Sequence, residues 1–298
     1  MNLFDSFINL APTGFTQGLV FAMVALAVMI PFRILNFPDM TSEGTLGFGG
    51  CVTAKFLIMG AEPTVALLCG AVAGFLGGMA TALIHEKIKL NSLLCGILVL
   101  SMLYSIDIRV MGQPNTALFN YPSLFSYLPV DTLLNRILLL LAVNVILVTA
   151  IVWFLGTQHG MAMRALGSSH PMARAQGISV KTYVVVGLGL ANCIAALGGG
   201  LLAQNQGFAD VNMGFGALVN GLASLLLGEA IIGKRTILRQ VLAPVIGSIV
   251  YFQLISLALA LGFQPSDLKL VTALFVIGTF VGLAGRKPGR GTAASRAV

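Results

Sequence analysis

The sequence predicts an all-α protein that crosses a membrane many times, and three observations predict it. Mean hydropathy is +0.95, and the 298 residues hold only 17 basic and 10 acidic side chains, far from the composition of a soluble domain. Apolar runs recur near the length that spans ~30 Å of hydrocarbon, roughly 20 residues at ~1.5 Å each. The cations fall between those runs rather than on one face, so the net charge of +7 marks no nucleic-acid binder.

Runs near 15–35, 45–60, 63–84, 91–109, 132–156, 183–203, 214–232, 240–262 and 266–284 predict about nine spans. No Lys or Arg precedes Arg33, so the first run lacks the basic leader of a cleaved signal peptide. The second run is short, holds Gly44, Gly47, Gly49, Gly50 and Lys55, and predicts a broken or tilted helix inside the bundle, because glycine weakens helices and ions avoid lipid. In the third, Gly70, Gly74 and Gly78 form a ladder at four-residue spacing for close helix packing. The segment Gly112–Asp131, with three prolines and four aromatics, reads as an interfacial loop. Residues 286–298 form a basic tail expected to be disordered.

Loop charge sets the expected orientation. With the N-terminus outside and the C-terminus inside, inner loops collect thirteen of the 17 cations: Arg33, Lys87, Lys89, Arg164, Arg174, Lys181, Lys234, Arg235, Arg239, Arg286, Lys287, Arg290 and Arg296. Only Lys55, Arg109, Arg136 and Lys269 remain for the outer side. The faint likeness of Phe37–Gly49 to Phe208–Gly216, each a Phe-x-Asp followed by Gly-Phe-Gly, suggests halves of inverted topology with discontinuous helices at matching places. Chance similarity in a Gly-rich chain explains it equally well.

Catalytic signals are absent from the sequence. Gly228–Arg235 fits GxxxxGK but ends in Arg where a nucleotide loop needs Ser or Thr. The histidines are scattered, and the four cysteines lie in apolar context without CxxC spacing, which reads as core packing. No cofactor, metal or enzymatic activity is expected. Polar residues within the spans are the functional candidates, because burying them is costly. Asn192, Asn220 and Ser224 are taken for a solute path, the last two sharing a helical face. Asp39 and Glu43 flank Thr41 and Ser42 where the second helix begins; helix capping and an inner gate both explain them. Glu229 is expected to pair with Lys234 or Arg235.

The polar island Gly160–Lys181 exceeds what a turn needs. Two helix-like pieces, Met161–Gly167 and Pro171–Gly177, predict a short helical segment along the inner membrane surface, with Pro suited to a first turn and Gly to an end. A surface so built is offered to a soluble partner. The string Arg164-Ala-Leu-Gly167, then Ala173-Arg-Ala-Gln-Gly177-Ile178-Ser-Val-Lys181, resembles the cytoplasmic coupling segment of the permease subunits of bacterial ABC importers of the branched-chain amino acid and ribose type. Ile34–Asp39, Leu90–Leu98, Gln206–Gly214 and Gly221–Glu229 extend the resemblance over nearly the whole chain, to a branch some of whose members are linked to aromatic amino acids.

The resemblance implies that residues 1–285 form a permease domain in a bacterial inner membrane, paired with a second copy. An ATP-binding-cassette subunit inside and a solute-binding protein outside are the implied partners. The coupling residues carried over are Arg164, Gly167, Pro171, Met172, Ala173, Arg174, Ala175, Gly177 and Ile178. The rival reading is an ion-coupled transporter or channel working without an ATPase, which requires a carboxylate deep in a span.

Overall fold

The computed structural model describes residues 3–127 and 133–264, with the isolated positions 267, 270, 273, 274 and 278. Apart from those isolated positions, the ninth apolar run, 266–284, lies outside the described residues, as does the tail 286–298. Ten α-helices carry the described part, joined by one two-stranded ribbon. Six are long and apolar enough to cross a membrane: α1 (Leu3–Met29), α3 (Pro63–Ile88), α4 (Ser92–Met111), α5 (Leu133–Gly156), α8 (Val180–Gln206) and α10 (Ile237–Ala260). Two more, α2 (Thr41–Ile58) and α9 (Ala217–Ile232), are shorter or more polar. The predicted nine spans are therefore six long helices and two lesser ones among the described residues.

Helix α1 is the axis of the molecule. Nearly every residue from Leu19 to Met29 is shielded from solvent, as an all-round apolar helix requires. It continues into a π-helical turn, Ile30–Leu35. Pro31 has no amide to give the α ladder, and the turn widens there. Asn36 then reverses the chain in the left-handed region (φ 51°), which Asn tolerates better than most residues. The edge-on packing of Phe37 and His85 (ring centroids 4.9 Å apart) fixes the linker against α3.

Helix α2 corrects the expectation of a break. It is continuous over 18 residues, and the irregular backbone lies ahead of it in the π turn and residues 36–40. Its glycines serve contact rather than flexibility. A Cβ on Gly49 would stand 2.3 Å from the Ala196 carbonyl oxygen, and one on Gly199 would stand 1.9 Å from that of Leu46. On the other side, Gly74 and Gly78 of α3 press against the α8 backbone at Asn192 and Leu188, so the predicted ladder packs as expected. Thus α2 is enclosed by α3, α4 and α8.

Chain directions alternate as the loop charges require. Gly14 of α1 meets Ser256 of α10, and Gly18 meets Ile249, an antiparallel pair. Ser224 and Gly228 of α9 meet Gly247 and Ala243 of α10, again antiparallel. The segments after α4 and α8 lie at one end of the bundle, because strand β1 (Asn115–Ala117) pairs with β2 (Phe208–Asp210) in register Asn115↔Asp210. The π turn and the far end of α9 lie at the other end, joined by the Arg33–Glu229 ion pair. Glu229 thus pairs with Arg33 and not with the neighbouring Lys234 or Arg235, because the π turn brings Arg33 alongside.

Candidate functional site

Two helix N-termini meet inside the bundle. α2 begins beside Asn192, near the middle of α8, and α9 begins beside the first turn of α2. Glu43 makes that junction: its Oε1 accepts the Gly216 amide at 2.8 Å, capping α9 across 173 positions of sequence. The backbone before α9 lies on α2 as well, since a Cβ on Gly214 would stand 2.1 Å from the Glu43 carbonyl oxygen. At ~1.5 Å per residue, the 16 residues of α9 reach only about 24 Å. Helix, junction and non-helical approach together fill the space of one span.

Asp39 caps α2 in the same way. Its Oδ1 accepts the Thr41 amide at 2.8 Å, and its Oδ2 accepts the Asn192 Nδ2 at 2.9 Å. The Asn192 Oδ1 in turn accepts the Thr45 hydroxyl at 2.7 Å. Thr41 and Thr81 hydroxyls share a bond of 2.7 Å. All five side chains are buried. Sequence reasoning named Asp39 and Asn192 separately; the fold joins them in one closed network.

The other path candidates lie apart from it. Asn220 Oδ1 accepts the Tyr251 hydroxyl at 2.9 Å, and Ser224 donates to the Asn220 carbonyl at 2.7 Å. Ser224 is buried and Asn220 half-buried, one turn and more below the α9 N-terminus. Glu43 is the candidate that reaches an open surface. It lines a cleft of about 60 Å³ with Leu100, Tyr104, Asp107, Asn212 and Phe215. The sequence reading passed over Asp107. Its signal is a lone carboxylate within an apolar helix, one turn after Tyr104, and it is 2 % exposed.

The coupling segment consists of two helices rather than one. α6 (Gln158–Ser168) and α7 (His170–Ala175) are separated by extended Ser169. Ser169 Oγ accepts the Met172 amide, His170 and Pro171 open the helix, and Gly177 (φ 77°) ends it. Ile178 closes the end by donating to the Ala173 carbonyl at 3.0 Å. Met172, Arg174 and Ala175 are exposed, whereas Ala173 is 1 % exposed and faces the core. Gly167 seats α6 on the π turn; its Cβ would stand 1.9 Å from the Ile34 carbonyl oxygen. Arg164 is half-buried with its Nε shielded and unbonded.

A capped helix pair packed on the π turn, and a junction of two helix N-termini inside the bundle, are two irregular places in the described helices. The chain matches, over residues 10–281, the family described as branched-chain amino acid transport system / permease component. It belongs to that family. A tyrosine transport system permease protein of Clostridioides difficile (strain R20291) is 38 % identical over 88 % of this chain and 87 % of its own. An uncharacterized protein of Rickettsia prowazekii (strain Madrid E) is 31 % identical over 94 % and 98 %. Among solved structures, an inward-facing metal-chelate type ABC transporter superposes with a TM-score of 0.51 at 15 % identity, covering 92 % of this chain and 85 % of that one; the likeness is one of fold.

The permease is thus a multi-pass membrane component of an ABC transport system. Its family implies a separate subunit that hydrolyses ATP and a substrate-binding protein as partners.

Proposed function

We propose that this permease imports a small amino acid, of the aromatic class named for its tyrosine-transporting relative, across a bacterial inner membrane. Two copies stand side by side, N-termini outside, with the solute passing along the face that carries the α2–α9 junction. One observation supports this path above others. Glu43 and Asn212 are partly or wholly exposed beside non-helical backbone, part-way along the bundle. At that depth polar groups and irregular backbone survive only against protein or a water-lined passage.

Asp39 and Asn192 hold the start of α2 in place rather than touching solute. Asn220, bonded to the Tyr251 hydroxyl, and Ser224 lie lower on α9 and hold it against α10. On the cytoplasmic side, Met172, Arg174 and Ala175 form the contact with the ATPase. Gly167 and Arg164 pass its movement to the π turn, and Pro171, Ala173, Gly177 and Ile178 keep α7 formed. The test is reconstitution in vesicles with the ATPase and binding protein. Uptake of a labelled aromatic amino acid that needs all three and ATP is expected. Uptake by the permease alone, without ATP, overturns the reading.

A further inference from the structure

The junction cleft has a charge pattern that the helices do not consume. We infer that it is a subsite for a primary ammonium group, the amino end of the solute; this rests on the reading that the junction faces the solute path. Nine residues line the cleft; two are acidic and none is basic. Helix N-termini by themselves favour anions, but here the amides nearest the cleft carboxylates are bonded. Gly216 N donates to Glu43, Thr41 N to Asp39 and Asn212 N to the Asp210 carboxylate. What remains is acceptor capacity.

Asp107 supplies the decisive part of it. The carboxylate is 2 % exposed and keeps its Oδ1 buried with no hydrogen-bond partner. A buried polar atom left unbonded is rare in native structures and asks for a ligand or water. An ionised carboxylate accepts and does not donate, and an ammonium seated against it supplies both the missing donor and the charge that favours the ionised form. Tyr104, half-exposed at the mouth, offers a ring face of the kind that attracts an ammonium. Size narrows the choice. A cleft of about 60 Å³ exceeds the ~10–15 Å³ that one water needs and has room for an –NH₃⁺, whereas whole small-molecule sites run to ~300 Å³ or more. The cleft holds the amino end of a solute whose remainder extends outward into the path.

The test uses the purified full chain in discs of zwitterionic phosphatidylcholine, so that no anionic headgroup holds the probe. Saturation-transfer NMR is recorded with methylammonium and, separately, with acetate. A methylammonium signal is expected in the wild type, at least fivefold weaker in Asp107→Asn, with acetate no stronger than in empty discs. Leu100→Trp, which keeps both carboxylates and fills the cleft, is expected to lose the signal equally. A methylammonium signal retained in both variants, no signal in the wild type, or a stronger acetate signal overturns the inference. ATP-driven uptake without amine binding sinks this subsite alone. Amine binding without uptake sinks the importer reading alone.

Discussion

At the scale of the residue, Asn192 shows how a polar side chain is fixed by the buried groups it joins. It donates to Asp39 and accepts from Thr45, so it completes two neighbours that are themselves buried. Thr45→Val takes from the buried Asn192 Oδ1 its hydroxyl donor while the Asn192 Nδ2 keeps its bonds, and is expected to cost about 1–2 kcal/mol. Asn192→Leu is worse, because it strands the buried Asp39 Oδ2 and leaves the Thr45 hydroxyl only its long bond to the Ser42 carbonyl; a loss of about 3 kcal/mol or more follows. Equilibrium unfolding of the two variants in mixed micelles measures both, and equal losses would show that the network is not closed around Asn192. The sequence announced both Asp39 and Asn192 as polar residues out of place in apolar surroundings. It could not announce their partnership, since 153 positions lie between them and no local periodicity spans that distance. Asp107 escaped for a related reason: a single acid near a helix end reads as surface until the packing of α2 shows it covered.

At the scale of the element, helices whose signals are local were legible and those defined by neighbours were not. α7 follows from Ser169, Pro171 and Gly177, whose cap chemistry acts within a few bonds. α2 was misread because its glycines argue for weakness in isolation, whereas α3 and α8 press against them and hold the helix straight. The same contrast sharpens the coupling segment. Ala173→Asp places a charge in the core and is expected to destabilise the permease itself, lowering its yield from membranes. Met172→Asp and Ala175→Asp act on an exposed face and are expected to leave the permease intact while releasing the ATPase on co-purification. Gly167→Val belongs to a third kind. Its added carbons collide with the Ile34 carbonyl, so α6 shifts off the π turn. ATPase binding is expected to persist while solute-stimulated hydrolysis falls at least tenfold. Normal stimulation in Gly167→Val would remove the π turn from the transmission route.

At the scale of the whole molecule, loop charge predicts which ends stay on one side of the membrane, whatever lies between them. Engineered cysteines at Lys87 and Arg235 are expected to react with an impermeant reagent from the cytoplasmic side alone, and one at Asn115 from the outer side alone. Labelling of Lys87 and Arg235 from opposite sides would contradict the alternation of the helices. Span count was harder to read, since a hydrophobic run does not say whether lipid or protein will cover it. The enclosure of α2 also has a consequence in time. About 120 residues separate Ile58 from Val180, and synthesis at ~5–20 residues per second leaves roughly 6–24 s before α8 begins to emerge. For that interval α2 lacks the one of its three walls that α8 supplies, so that face must be sheltered elsewhere, in the insertion machinery or against a chaperone. Thr53 faces Gly70 and Gly200 in the finished protein. In a chain stalled at Gln176, Thr53→Cys is expected to react with maleimide that the full-length protein excludes, which makes biogenesis, rather than transport, the stage at which changes on the α2-facing side of α8 are first felt.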